Sequence, residues 1–466
     1  MKNQPRAAAD AVNKAIALSP AIGDFHALVA RLMIQGGQRI EAMRAVQNAL
    51  RHGCQHTHGW QDLAVCANLL HRHHDAAKAF GEALRRTPND VTLLCNAASN
   101  ARHLGQLKQA RQWLQRAVKI QPGNARAWWM LAPLSKDKAA LATELETQWQ
   151  RSPSAPARTY LGFALTHLHD ALQNSDKAWH WAEAANRLVR KQQKHDQARW
   201  LARRQAHWNR QKQRWKKPLQ ETLPQNSAPR PLFILGLPRA GSSLLESLLA
   251  SHSQIKSLGE LPEFPLVLAK NLKSPGPESE DTLEKIGTDY LAQVQAIHAP
   301  QTSWFIDKLP DNAQHLGYLL MSLPTARVVW IDKHPLDAAW GLYKHLFGPG
   351  HKGWCYHLPW LGEAIATHHH QCRHWHQSAP DQVLRIEYEA LVSEPRETLQ
   401  AIQQFLRLGD ESDIMLANQG QAVTATASAS QVREKIHTRA IGRWRNYAQE
   451  LEPARLAMQA IKADLC

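Results

Sequence analysis

Pro231-Leu232-Phe233-Ile234-Leu235-Gly236-Leu237-Pro238-Arg239-Ala240-Gly241-Ser242-Ser243-Leu244-Leu245-Glu246-Ser247-Leu248-Leu249 decides the fold of the C-terminal half. Residues 231–235 form an unbroken apolar run of strand length, which predicts a strand buried on both faces. Pro238 and the two glycines break that run, and from Leu244 onward the pattern becomes helical. A strand, a glycine-bearing loop and a helix in this order cradle a phosphate, because loop N–H groups and the helix N-terminus face the anion. Pro238, Arg239, Ala240, Gly241, Ser242 and Ser243 are therefore the candidate phosphate-binding residues.

The spacing from Gly236 to Gly241 is that of a Walker A loop, but Ser242 stands where that loop places its lysine. That lysine is what reaches the β- and γ-phosphates of ATP. Arg239 supplies a cation inside the loop instead, so the cradle suits a 5′-phosphate group better than a triphosphate tail. Upstream, Pro218, Pro224, Pro229 and Pro231 with Gln225-Asn226-Ser227 mark a linker over 218–229. With 466 residues the chain is too long for one core, so two or three domains are expected. Apolar residues make up 44% and charged residues 21%, which excludes a disordered or collagen-like chain. Lys and Arg number 56 against 40 Asp and Glu, a net charge of +16. That balance favours anionic partners (nucleotide, nucleic acid, acidic peptide or membrane surface) without choosing among them. Residues 1–8 hold no apolar core and no stretch approaches a membrane span, so neither a signal peptide nor a transmembrane helix is expected. Six cysteines without a CxxC pair fit a reducing, cytoplasmic setting.

The first 135 residues repeat themselves. Ala15-Ile16, Ala49-Leu50, Ala83-Leu84 and Ala117-Val118 recur every 34 residues, as do Ala8, Ala42, Ala76 and Ala110. Val12, Val46, Phe80 and Leu114 fill the bulky slot between the small ones, and Gly37 and Gly105 sit at a turn with His71 between them. Small residues seven apart on one helical face let a neighbouring helix approach closely. The pattern resembles tetratricopeptide repeats, which implies stacked helix pairs with a concave face of the kind that holds peptides. A purely bracing role is the other reading. Residues 136–217 continue as a helical extension in which Ala178, Trp179, Ala182 and Ala185 look like one more helix pair. Its end, 186–217, carries twelve Lys/Arg, the single acid Asp196, and Trp200, Trp208 and Trp215 near one face. This stripe reads either as a surface for phosphates or anionic lipid, or as a tryptophan seam packed on the next domain.

The loop followed by Leu258-Gly259-Glu260-Leu261-Pro262-Glu263 resembles the 5′-phosphosulfate loop of sulfotransferases. The closest likeness is to bacterial tetratricopeptide-containing sulfotransferases and the related tyrosylprotein sulfotransferases. It extends through Phe305-Ile306-Asp307-Lys308-Leu309-Pro310, residues 328–337, Glu387-Tyr388-Glu389-Ala390-Leu391, residues 426–433 and Gly442-Arg443-Trp444. The resemblance implies an α/β P-loop-like domain with a mainly parallel sheet over 230–466, behind the all-α repeat array. It also implies 3′-phosphoadenosine 5′-phosphosulfate (PAPS) as sulfuryl donor, no metal, and a peptide or protein acceptor, tyrosine among the candidates, held by the repeat groove. Matched residue by residue, Glu260 is the general base, and Lys308 and Ser428 stabilise charge at the leaving phosphate with Arg239. Lys333, Tyr388 and Arg443 contact the nucleotide.

Three positions depart from the family pattern. Lys333 stands for an arginine and Gly341 for a serine that together hold the donor's 3′-phosphate, with His334 replacing an aspartate. Lys keeps the charge but lacks the bidentate fork, and Gly has no hydroxyl to donate. His334, Lys344 and His345 are the nearby residues able to compensate. Rival readings are an ATP-dependent kinase using Asp332 to hold a metal, and a non-catalytic repeat scaffold with a degenerate nucleotide module. His370/His374 and Cys372/His376 have i,i+4 spacing that can bind metal, but with no further partner cluster they read as a polar helix face.

Overall fold

The computed structural model describes residues 12, 14–152, 154–215, 229–272, 280–348, 352–419 and 434–465. The linker 218–229, apart from Pro229, lies outside them. Two compact units emerge. The first contains the described residues up to Leu134 together with Leu291–Ala299, and the second holds the rest.

The first unit is an array of helices: α1 (Gly23–Gln35), α2 (Arg39–His52), α3 (Thr57–Leu69), α4 (His73–Arg86), α5 (Val91–His103), α6 (Leu107–Ile120) and α7 (Ala125–Leu131). The alanine slots at 42, 76 and 110 and at 49, 83 and 117 are fully buried, as are Val46, Phe80 and Leu114 beside them. Ile297 joins the same core. The turn slot shows why glycine recurs. Gly37, His71 and Gly105 all adopt left-handed backbone, with φ of 72°, 59° and 76°. In each case the next N–H closes a Schellman bond: Gln38 to Met33, Arg72 to Ala67 and Gln106 to Ala101, all at 2.8 Å. His71 adopts the same conformation without glycine's freedom, at a cost of about 1–2 kcal/mol.

In the second unit, α8 (Lys138–Arg151), α9 (Ala155–Ala171), α10 (Ser175–Gln192) and α11 (Gln197–Arg214) precede the sheet. The α9–α10 pair reproduces the repeat in register. Gln173 takes the turn slot with φ 59° and Asn174 closes the bond to His169 at 2.9 Å. Ala178, Ala182 and Ala185 are fully buried in the matching slots.

Among the described residues the sheet has five strands: β1 (Arg230–Gly236), β2 (Ile255–Ser257), β3 (Trp304–Asp307), β4 (Arg327–Asp332) and β5 (Val383–Glu387). Its order is β2-β3-β1-β4-β5, and every pairing is parallel. The apolar run puts β1 at the centre, with Leu232 opposite Ile306 of β3 and Ile234 opposite Val329 of β4. Strand order switches sides at β1, and its carboxyl end is where such sheets bind ligands. The intervening helices are α12 (Ser242–Leu249), α13 (Glu263–Asn271), α14 (Glu280–His298), α15 (Leu316–Ser322), α16 (Pro335–Tyr343) and α17 (Leu358–Ser378).

The tryptophan stripe is a packing seam. Trp208 lies edge-on to His370 at 4.9 Å, Trp215 to Trp375 at 5.2 Å, and Trp200 sits 5.8 Å from Trp354. Its indoles are therefore engaged within the unit. The histidine-rich helix α17 has a polar face, with Arg373 and Gln377 exposed, and an inner face on which His368, Gln371, Cys372 and Trp375 are buried. Among the described residues no helix is long and apolar enough to cross a membrane, and the five described cysteines are free and buried.

Candidate active site

The strand, the glycine-bearing loop and the helix form in the order read. β1 ends at Gly236 and α12 starts at Ser242, with Gly241 as its N-cap at φ 107°. Arg239 takes φ 70°, a left-handed conformation held by the loop around it. Tyr388 begins the helix after β5 and lays its ring against Gly241, so that a Cβ at 241 would collide with it. Gly241→Ala should therefore destabilise the second unit by about 1–2 kcal/mol, the cost of the left-handed backbone alone, measurable by urea unfolding. Lys333 Nζ sits 4.2 Å from the centre of the Tyr388 ring. Burial first, then the charges of Lys344 and Arg239, push the Lys333 ammonium down to about 8 against the opposing pull of Asp337 and Glu389. Lys333, Tyr388 and the loop thus come together.

Glu260 and Lys308 also meet. Lys308 N–H donates to Gly259 O at 2.8 Å, which pins the residue after β3 beside the 258–260 turn. Its ammonium donates to Glu260 Oε1 at 2.6 Å and lies 3.5 Å from Glu246 Oε2. Burial pulls the Lys308 pKa down, but Glu246 and Glu260 outweigh it, and the net shift is upward. Glu246, on α12, is fully enclosed, and burial raises its carboxyl despite Lys308 and a 2.6 Å bond from Ser257 Oγ. Glu260 by contrast is 37% exposed, open to a second reactant. Next to this group Tyr290 OH donates to the buried Asp307 at 3.0 Å, and burial pushes that carboxyl well up.

Arg443 stands after Gly442, whose loop is held by Asp337: Gly442 N–H and Trp444 N–H donate to its two oxygens at 2.7 and 2.8 Å. His334 stacks on Trp444 with ring centres 5.2 Å apart. Arg443 itself bonds Asp170 of α9, which also takes Lys344 at 2.9 Å. Asp332 is engaged by Arg385 at 2.8 Å and by His369 at 3.2 Å. Ser428 lies outside the described residues.

Three participants were not singled out by the sequence: Glu246, Asp337 and Asp170. Glu246 had a visible signal, an acid inside the apolar Leu244–Leu249 stretch; Asp170 had none, since its partners lie far along the chain.

Residues 231–412 match the Sulfotransferase family, so the chain carries a domain of that family. Glu260, Lys308, Lys333 and Tyr388 fall inside the matched stretch, and Ser428 and Arg443 beyond it. An uncharacterized protein of Aquifex aeolicus (strain VF5) is 27% identical over 406 residues, which cover 81% of this chain and 52% of that one. The chain therefore spans about half the length of that relative. A putative protein-tyrosine sulfotransferase of Caenorhabditis briggsae is 21% identical over 235 residues, 46% of this chain and 80% of that one. Among solved structures, the sulfotransferase domain of the Synechococcus PCC 7002 olefin synthase aligns with TM-score 0.38 and 19% identity, over 53% of this chain and 98% of that domain.

Proposed function

We propose that the protein is a PAPS-dependent sulfotransferase that moves a sulfuryl group to an acceptor hydroxyl on a peptide or protein, with tyrosine the first candidate. The observation that carries this reading is the Glu260–Lys308 contact of 2.6 Å beside the helix of the phosphate loop. Sulfuryl transfer breaks the donor's S–O bond to phosphate and forms a new one to the acceptor oxygen, whose proton must leave. Glu260, part-exposed, takes that proton. Lys308 places a fixed cation where negative charge grows on the leaving phosphate, in a site where burial strengthens it. Arg239 and the α12 N-terminus hold the 5′-phosphate group. Ser428 adds a hydroxyl donor to the same charge, and Lys333, Tyr388 and Arg443 hold the nucleotide. The residues fit such a donor: the buried Arg443 Nε has no hydrogen-bond partner among the described residues.

The acceptor assignment draws on two supports. Helix-pair arrays commonly offer concave surfaces to peptides, and the Caenorhabditis relative is named as a protein-tyrosine sulfotransferase. The donor is tested by calorimetric titration with adenosine 3′,5′-bisphosphate, adenosine 5′-phosphate and ATP with magnesium. At least a tenfold preference for the bisphosphate is expected. Preference for ATP would replace this reading with a kinase.

A further inference from the structure

Lys333 and Gly341 offer the donor's 3′-phosphate neither a guanidinium fork nor a hydroxyl. Gly341 is not forced by crowding, since a Cβ there would lie an ordinary 3.5 Å from Arg239 Cβ. The grip has to come from elsewhere, and one turn further along the same face stands Lys344.

Asp170, at the end of α9, collects Lys344 Nζ at 2.9 Å, Tyr447 OH at 3.1 Å, Trp340 Nε1 at 3.3 Å and the Arg443 Nη2. Arg443 Nη2 also reaches the Asp170 carbonyl at 3.1 Å. Burial opposes ionisation of Asp170, but Lys344 and Arg443 overcome it and hold the carboxyl well below its usual range. The two cations are nonetheless 26% and 25% exposed, and the Arg443 Nε stays buried without a partner among the described residues. Each cation is fixed on one side and keeps donors on another. The site lies at the loop: Lys344 follows the helix α16, whose Gly341 would place a Cβ 3.5 Å from Arg239 Cβ.

We propose that Asp170 is a positioning residue that fixes Lys344 and Arg443 as the grip on the donor's 3′-phosphate, supplying the charge-assisted bonds that Lys333 and Gly341 do not. This rests on the PAPS reading above. A carboxylate that aligns two cations lets their remaining N–H groups converge on one dianion without reorganisation, and charge-assisted bonds of that kind are the strong ones. The helical extension then supplies part of the nucleotide site.

The test is calorimetry on wild type, Asp170→Asn and Lys344→Met with adenosine 3′,5′-bisphosphate and adenosine 5′-phosphate. Each variant should lose about tenfold in bisphosphate affinity, the size of one charge-assisted bond. Affinity for the monophosphate should stay within about twofold, a selectivity that a general loss of structure would not produce. The double variant should lose little more than either single one. Undiminished or tighter bisphosphate binding by Asp170→Asn overturns the proposal, the tighter result showing that the carboxylate competes with the anion. Should Asp170→Asn fail to fold, Lys344→Met reads the same grip, and retained preference there overturns it equally. A wild type with no preference removes the donor reading itself and this proposal with it, whereas a preferring wild type matched by its variants removes only the proposal.

Discussion

Glu260→Gln should lower turnover by about 10²–10⁴-fold, the usual worth of a positioned general base. The amide is nearly isosteric and its oxygen can still accept from Lys308, which donates to Glu260 Oε1 at 2.6 Å in the wild type. Lys308 also keeps Glu246 at 3.5 Å, so the cation stays in place. On the proposed function, what is lost is the acceptor for the hydroxyl proton, and that loss is felt only on the way to the transition state. The expected signature is therefore a fall in kcat with adenosine 3′,5′-bisphosphate affinity kept within about twofold. Initial rates with labelled donor, beside calorimetry on the same preparation, check it. Turnover equal to wild type would end the base assignment; a parallel collapse of bisphosphate binding would make Glu260 a structural residue.

What the sequence makes legible follows from locality. The phosphate loop is a contiguous strand, turn and helix, and each part carries its own signal: an apolar run, Pro238 with two glycines, and the Leu-rich pattern after Ser242. The repeat slots are legible because periodicity multiplies a weak signal, and even His71 keeps the left-handed turn that Gly37 and Gly105 have on either side of it in the series. Side-chain partnerships across the chain are not. Asp170 and Arg443 meet only because α9 and the 442–447 turn fold into one unit, and nothing local to either residue announces the other. The basic, tryptophan-rich stretch is ambiguous for the opposite reason: its composition suits both phosphate binding and packing, and only the contacts of Trp200, Trp208 and Trp215 decide. The histidines of α17 mislead because consecutive polar residues hide which side of a helix is inside; His368 and Cys372 face the core.

Lys308→Met should destabilise the fold by about 3–5 kcal/mol, because it removes one partner from a buried charge group and leaves the other behind. The residue left behind is Glu246, fully enclosed, with Ser257 Oγ still donating to it at 2.6 Å. The pH dependence of that loss identifies its cause. Burial already raises the Glu246 carboxyl in the presence of Lys308, and removing the cation raises it further. An acid whose folded pKa lies above its unfolded value of about 4.3 favours the folded state when protonated, and that advantage disappears as pH rises through the folded pKa. The deficit of the variant should therefore be smallest near the unfolded pKa and grow toward pH 8. Lys308 itself is shifted upward by its two carboxylates, so its own titration lies well above this window and adds no slope within it. Urea unfolding at pH 5 and pH 8 measures the difference. Adding Glu246→Gln should restore most of the stability, since the amide needs no counter-charge, and flatten the pH dependence. On the proposed function, turnover should stay down about 10²–10³-fold in both single and double variants, because the cation assigned to the leaving phosphate is absent from each. A deficit that is flat in pH, or larger at pH 5, would detach Glu246 from Lys308. Activity recovered along with stability in the double variant would show that Lys308 holds the site together without taking part in the chemistry.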